Sequence, residues 1–283
     1  MIELELSAAE RDARKLKPAQ LERAVTAIRD DGFVVLHQAI ESDHIAALRE
    51  KMLADVAAIL ALDDVPYQFN DGHLQQDPPP FAPYLFRDVL LNDLVVEITR
   101  AVLGEGVKNS FYSGNTCLPN DTQQPLHVDA GQLWPDLEVA TPAYTLVVNV
   151  PVVDATAENG STEVWPGTHM DTTRTFGEDI KLAPEDEARR RQECRPLQPA
   201  VPAGSVLIRD MRLWHRGMPN RSDRPRPMIA MIHWPHWWHT GKPLLFPKGT
   251  EEFFAHSPLQ TVAEFVEGPI DYIGRNKKYD YKG

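Results

Sequence analysis

Three side chains with metal-binding chemistry stand out in this sequence. His127 and Asp129 form a His-x-Asp triplet, and His215 follows further along the chain. Two imidazoles and one carboxylate are the ligand set that holds one face of a non-haem Fe(II) and leaves the opposite face open. Arg226, shortly after His215, is suited to binding an anionic co-substrate at that open face. These residue types indicate oxygenase chemistry.

The geometry of a β-strand explains how His127 and Asp129 can act together. Residues i and i+2 of a strand point to the same face, so the imidazole and the carboxylate aim at one point. His215, in the segment LWHRG, reaches that point if its strand lies nearby across a barrel. The pattern alone is weak, because the chain has ten histidines. The surrounding sequence must therefore support it.

The first part of the chain is predicted to be mainly helical. Apolar residues recur at helical spacing between breakers, and small polar residues stand where helices begin. The predicted elements are a capping box at 7–10, a helix over 18–31 ended by Gly32, a strand over 33–37, a helix capped by Ser42, and a helix over 93–103 between Asn92 and Gly104.

From about residue 108 the sequence changes to short apolar runs bounded by Gly, Pro and Asn, which is typical of a β-sandwich or jelly roll. Residues 62–86 are rich in proline and in aromatic residues, and we expect an ordered, irregular functional loop there. The polar segment 171–198 interrupts the strands, and we expect a solvated excursion with some helix.

Composition excludes several classes of function. The chain of 283 residues carries a net charge of −12, which argues against a nucleic-acid partner. It opens without an apolar leader and has no apolar run of membrane-spanning length, so we expect a cytoplasmic protein. Its two cysteines, Cys117 and Cys194, are expected to be reduced thiols. Composition leaves the oligomeric state open.

Four segments together resemble the phytanoyl-CoA dioxygenase family, a branch of the Fe(II)- and 2-oxoglutarate-dependent oxygenases. They are GFVVLHQAI, LHVDAGQLW, ENGSTEVWPGTH and PAGSVLIRDMRLWHRGMPNRSDRPRPM, and they cover roughly residues 20–235. The resemblance implies a mainly β protein, a double-stranded β-helix (jelly-roll) barrel with N-terminal and flanking helices. We expect one domain over 1–283, with a helical part to about 105, a β-helix core over about 106–240 and a C-terminal extension over 241–283.

The resemblance also implies roles for single residues. His127, Asp129 and His215 match the ligands of Fe(II), and Arg226 matches the arginine that holds the distal carboxylate of 2-oxoglutarate. Arg224 is a competitor for that role, although the Pro-Arg step of the family pattern favours Arg226.

Three polar residues are further candidates near the co-substrate. Gln124 and Thr162 match polar positions that contact 2-oxoglutarate in related members. Ser222 is a candidate too, but it fits a turn residue equally well.

The reaction implied by the resemblance consumes O2 and 2-oxoglutarate, releases succinate and CO2, and oxidises a C–H bond of the substrate. Family members that halogenate lack the ligand carboxylate, so Asp129 favours hydroxylation. Desaturation and epimerisation stay open. We expect a small organic substrate, such as a natural-product intermediate. An acyl-CoA is an alternative that the acidic composition disfavours.

Other histidines and tryptophans invite weaker interpretations. His73 is expected to be a solvated loop residue, although it could touch substrate, and His169 a structural hydrogen-bonding residue. The segment HWPHWWHT contains His233, His236 and His239, but Pro235 and the lack of nearby cysteines argue against a zinc cluster. Trp237 or Trp238 could line the substrate mouth.

Two other classes of protein compete with the oxygenase. A non-catalytic jelly-roll protein would not need the three metal-binding residues together with Arg226. A zinc hydrolase or isomerase of the same fold would need an acid–base residue at an open metal, and would not need Arg226.

Overall fold

A large mixed sheet and a small second sheet form the framework of the protein. The computed structural model describes residues 3–278. Its helices are α1 (Ala8–Ala13), α2 (Pro18–Asp30), α3 (Ser42–Leu60), α4 (Arg87–Leu90), α5 (Asp93–Leu103), α6 (Pro184–Glu193) and α7 (Glu251–Phe254). Its strands are β1 (Glu3–Glu5), β2 (Phe33–His37), β3 (Tyr67–Gln68), β4 (Asn70–Gln75), β5 (Lys108–Cys117), β6 (Leu146–Pro151), β7 (Thr162–Val164), β8 (Val206–Asp210), β9 (His215–Gly217), β10 (Arg226–Trp234), β11 (Leu244–Pro247), β12 (Gln260–Thr261) and β13 (Ala263–Val266).

The large sheet has the strand order β1-β2-β8-β6-β10-β5-β4-β3, with β12 paired to β5. Its central strands read as nearly continuous apolar runs, because both of their faces are covered. One face packs with residues of α2, α3 and α5 in the main hydrophobic core. The other face carries Asn149 and Arg209, and it looks into a cavity.

The second sheet pairs β7 with β9, and His127 joins it through a bridge to His215. The cavity is lined from both sheets, by residues such as Arg209 on β8 and Thr162 on β7. This two-layered arrangement confirms the predicted jelly roll, but the sheets face each other without closing into a barrel. His127 and Asp129 lie at an isolated bridge and a bend, not in a regular strand.

The predicted N-terminal elements are confirmed with one exception. Ser7 and Glu10 form the capping box, and the Asn92 side chain accepts from two backbone N–H groups at the start of α5. Ser42 was predicted to cap α3. It is instead the first helical residue, and Glu41 holds the cap position without a side-chain bond. The nearby Asp88 carboxylate accepts a hydrogen bond from the Glu41 N–H at 2.8 Å.

The segment 62–86 departs from the prediction of an irregular loop. Its first half forms β3 and β4, and β4 extends the large sheet by pairing with β5. The segment 171–198 contains α6, as predicted. It is not merely solvated, since Leu182 is buried and Lys181 pairs with the backbone of His127.

The cysteines, the domain division and the helix lengths were also predicted from the sequence. Both cysteines are free, as expected. The division into one domain stays a prediction, and residues 279–283 of the predicted C-terminal extension lie outside the described part. None of the described helices has the length and apolar character needed to cross a membrane.

Candidate metal centre and co-substrate site

The structure brings the three predicted metal-binding side chains together. His127, Asp129 and His215 each offer one ligand atom, and these atoms lie within 4.8 Å of one another. Asp129 Oδ1 is 3.9 Å from His127 Nε2 and 3.6 Å from His215 Nε2. Reciprocal backbone hydrogen bonds between the two histidines, at 3.1 and 2.9 Å, hold their segments side by side. Two nitrogens and one oxygen at this spacing can hold one divalent metal ion.

Both imidazoles are oriented by backbone carbonyls of their own chain segments. His127 Nδ1 lies 2.8 Å from the carbonyl oxygen of Pro125, and His215 Nδ1 lies 2.9 Å from that of Leu213. A carbonyl only accepts, so each Nδ1 carries the proton and each Nε2 keeps its lone pair. Burial lowers the pKa of both histidines, and neutral imidazoles are the metal-binding form.

Asp129 is held by an arginine that the sequence did not single out. Arg209 Nη2 donates to Asp129 Oδ2 at 2.6 Å, and the guanidinium is almost fully buried. Burial alone would raise the pKa of Asp129, but the charge and hydrogen bond of Arg209 hold it below its ordinary value. The carboxylate therefore stays ionised, with Oδ1 free toward the histidines. An arginine inside the apolar run VLIRD was a readable signal, because a buried charge needs a partner.

A cavity of about 340 Å³ opens beside the three residues. This volume is within the usual range for small-molecule sites. Arg209 and Asn149 contribute from the large sheet, and Thr162 and His215 from the small one. The site thus lies between the two layers of the jelly roll.

Arg226 lines the cavity and Arg224 does not. Arg226 is 1% exposed, and its Nε donates to the Asn159 carbonyl at 3.2 Å. Its Nη1 is buried without a hydrogen-bond partner, and none of the described carboxylates forms an ion pair with it. Arg224 has 86% of its side chain exposed, beside Asp223. A buried cation without a counter-charge fits an anionic ligand, and 2-oxoglutarate has the carboxylate it needs.

The three polar candidates fall at different places. Gln124 is buried on the cavity wall, where its Oε1 accepts from the Gly217 N–H at 2.7 Å. Thr162 lines the cavity from β7. The Ser222 hydroxyl donates to Asn220 Oδ1 at 2.6 Å, so Ser222 acts as a turn residue.

His73 is not the solvated loop residue that we expected. It lies on β4, fully buried, because the segment around it pairs with β5 and His73 sits opposite Cys117. Burial lowers the pKa of His73 to about 4. His169 is a structural residue as predicted, with Nε2 2.9 Å from the carbonyl oxygen of Arg29.

The histidines of segment 233–240 form no metal site among the described residues. His233 is buried on β10 with Nδ1 3.0 Å from Thr99 Oγ1. Trp238 stacks on Trp234 at 5.0 Å between ring centroids. Trp237 is 57% exposed. The tryptophans form an aromatic cluster, and neither Trp237 nor Trp238 is among the residues that line the cavity beside the metal-binding side chains.

A jelly roll with two histidines and an aspartate converging beside a buried arginine defines the class of 2-oxoglutarate-dependent non-haem iron dioxygenases. The family model for phytanoyl-CoA dioxygenase (PhyH) matches residues 28–228. The chain therefore belongs to the PhyH family, as the sequence motifs indicated. Its cofactors are iron and 2-oxoglutarate.

Known proteins agree with this assignment. The chain is 26% identical over 225 residues to the iron/alpha-ketoglutarate-dependent dioxygenase ausU of Aspergillus calidoustus, covering 75% of this chain and 70% of the relative.

Solved structures share the fold at low sequence identity. The non-haem alpha-ketoglutarate-dependent carbocyclase SnoK of nogalamycin biosynthesis superposes with a TM-score of 0.57 at 17% identity, over 79% of this chain and 85% of SnoK. The epimerase SnoN, in complex with Fe3+, alpha-ketoglutarate and nogalamycin RO, gives 0.58 at 17% identity, over 77% and 85%.

Proposed function

We propose that this dioxygenase oxidises a C–H bond of a small organic molecule, an intermediate of natural-product biosynthesis, and that hydroxylation is the outcome. One observation carries the proposal. The three ligand atoms converge at a cavity whose wall also holds Arg226, a buried cation without a carboxylate partner among the described residues. This pairing suits a metal and a dicarboxylate bound side by side.

In this proposal the protein's own residues bind and orient. His127, Asp129 and His215 hold the metal through Nε2, Oδ1 and Nε2. Arg226 binds the distal carboxylate of the co-substrate, and Gln124 and Thr162 contact it. When bound, iron and 2-oxoglutarate supply the oxidising chemistry with O2.

The remaining task of the protein is to shield the open face of the metal centre. The Phe69 ring lies 4.6 Å from the His127 ring, tilted by 47°, and it lines the same cavity. An apolar ring at this place excludes water from the reacting C–H bond.

Asp129 supports hydroxylation over halogenation, because its carboxylate fills the ligand position that a halide would need. Desaturation and epimerisation remain alternatives from the same chemistry, since proteins of this fold include the carbocyclase SnoK and the epimerase SnoN. The biosynthetic setting of these neighbours supports a natural-product substrate. An acyl-CoA substrate is the less favoured alternative for a chain with a net charge of −12.

An anaerobic titration tests the metal and co-substrate site. Fe(II) and 2-oxoglutarate together are expected to produce a weak visible charge-transfer band, which His127→Ala abolishes. His256→Ala is the matched control, because that side chain is 89% exposed and is not among the residues that line the cavity. Absence of the band in the wild-type protein, or its survival in His127→Ala, would overturn the proposed site.

Mass spectrometry then tests the outcome. Candidate substrates are incubated with Fe(II), 2-oxoglutarate and O2, and succinate is counted against product. A gain of one oxygen atom per succinate supports hydroxylation. Loss of two hydrogens, or an isomer of unchanged mass, would replace it by desaturation or epimerisation.

A further inference from the structure

The charged side chains of the cavity are all accounted for by the metal centre and the co-substrate. Among the described lining residues, the ionisable ones are the three metal-binding residues, Arg209 and Arg226. Arg209 is paired with Asp129, and Arg226 is assigned above to 2-oxoglutarate. The rest of the lining is uncharged, so no ionisable group is left to pair with a charged substrate.

The uncharged part of the wall contains a chain of hydrogen-bonded amides. Asn115 Nδ2 donates to Gln68 Oε1 at 2.6 Å, and Gln68 Nε2 donates to Gln75 Oε1 at 2.6 Å. Gln75 Nε2 donates in turn to Ser113 Oγ at 3.0 Å. All three amides line the cavity from β3, β4 and β5. Each one fixes the orientation of the next, so the wall is organised before a ligand arrives.

These amides keep hydrogen-bonding groups that they do not use in bonding to one another. A primary amide has two N–H donors and an oxygen with two lone pairs. Gln68 uses one donor for Gln75 and one lone pair for Asn115. The remaining groups can bond a hydroxyl or carbonyl oxygen, but they cannot neutralise a charge. A carboxylate, ammonium or phosphate buried against them would lose its hydration without an ionic partner.

Aromatic rings, thioethers and aliphatic side chains also line the cavity. Phe69 and Phe111 lie among these residues, with Met211 and Ile232. Phe69 sits between β3 and β4 with φ 64°, a conformation that an aromatic residue adopts only when its surroundings impose it. Met211 and Ile232 belong at the same time to the cluster around Tyr144 and the tryptophans of β10 and its following turn. Flat apolar surfaces of this kind suit a ring system.

We propose that the chain of Asn115, Gln68 and Gln75 recognises the substrate, and that it selects an uncharged, ring-containing molecule bearing hydroxyl or carbonyl oxygens. The inference rests on the proposed function, because Arg226 is taken up by the co-substrate. It disfavours acyl-CoA thioesters, whose phosphates carry negative charge that the amides cannot neutralise.

Ligand-observed NMR with matched fragments tests this substrate class. Each set shares one ring scaffold and carries a hydroxymethyl, a carboxamide, a carboxylate or an aminomethyl group. The full-length protein is loaded with Zn(II) and N-oxalylglycine, so that carboxylate fragments cannot simply occupy the place of 2-oxoglutarate. The neutral members are expected to bind more often and more tightly than their charged counterparts. Equal or better binding of the charged members overturns the proposal.

Two variants show whether the amides make the contact. Gln75→Glu places a negative charge in the wall with almost no change of shape, and it should shift the preference toward aminomethyl members by about fivefold. Gln192→Glu changes the net charge equally on the exposed surface of α6, outside the cavity lining, and should change nothing. An unchanged preference in Gln75→Glu overturns the proposal.

Loading is measured first, by calorimetry, to separate the two proposals. If Zn(II) and N-oxalylglycine do not bind, the proposed function fails. The fragment comparison is then made on the unloaded protein with the hydroxymethyl, carboxamide and aminomethyl members alone, because a free Arg226 would bind the carboxylate members. A preference for the neutral members, shifted by Gln75→Glu, supports recognition by the amides, and its absence overturns it.

Discussion

Replacing Arg209 tests whether the metal centre depends on an arginine that binds no metal. Arg209 donates to Asp129 at 2.6 Å with 6% of its side chain exposed. A hydrogen bond to a charged group contributes about 1.5–3 kcal/mol. At about 1.4 kcal/mol per tenfold change, Arg209→Met should weaken divalent metal binding by roughly 10- to 100-fold, the loss typical of residues that support metal ligands.

The physical reason lies in the freedom and charge of the carboxylate. Without Arg209, Asp129 Oδ2 loses its partner, so the carboxylate can rotate, and burial that the Arg209 charge no longer offsets raises its pKa. Protons then compete better with the metal. Arg209→Lys keeps the positive charge but not the planar fork of donors, so it should restore part of the affinity.

Anaerobic calorimetric titration with Co(II) or Mn(II) measures the affinity without requiring turnover. Circular dichroism melting verifies that each variant is folded. Arg174→Met is the matched control, because it removes one arginine from an ion pair with Asp186 away from the cavity lining. A folded Arg209→Met with wild-type metal affinity would refute the reasoning.

Three further outcomes are expected. Arg226→Ala should raise the 2-oxoglutarate concentration needed for half-maximal succinate release by roughly 30-fold or more, because a charge-assisted contact to the co-substrate is lost. Arg224→Ala, at an exposed side chain, should leave that concentration unchanged. The opposite pattern would assign the contact to Arg224. Burial lowers the pKa of His233 to about 3, so protonation favours the unfolded chain as the pH falls below about 6.5. Between pH 7.5 and 5 this group should lower the free energy of unfolding of the wild type by about 2 kcal/mol, as measured by urea titration at each pH. His233→Asn should not show this loss. An equal loss of unfolding free energy in both proteins would contradict the prediction. Phe69→Gly should increase succinate formation in the absence of substrate, because water reaches the metal centre; a rate equal to wild type would show that the ring does not shield it.

The chemistry of the site was more predictable from the sequence than its walls. The triplet of His127 and Asp129, with His215 and Arg226, indicated the candidate site because the flanking family motifs support a pattern that is weak by itself. The same motifs identified the family and the jelly roll. The choice between Arg226 and Arg224 could not be made by strand parity, and the structure separates the two by burial.

The walls depend on contacts between distant segments. Gln68 and Gln75 lie in a stretch that looked irregular, because prolines and aromatic residues hide a short hairpin whose pairing with β5 is a tertiary interaction. His73 was misjudged for the same reason. Arg209 could have been found from its position within an apolar strand, but its partner Asp129 is far away in sequence.

The backbone that holds the two imidazoles also bears on how the protein acquires its metal. The carbonyls of Pro125 and Leu213 orient both rings through hydrogen bonds made within their own segments of the chain. If these residues bind the metal as proposed, the oriented rings suit any divalent ion that accepts two nitrogens and one oxygen. Affinity at such a site follows the intrinsic order of the ions, in which Co(II), Ni(II) and Cu(II) exceed Fe(II). The availability of ions, together with the geometry of the ligand atoms, therefore influences which metal reaches such a site, while the co-substrate and O2 decide which metal gives turnover.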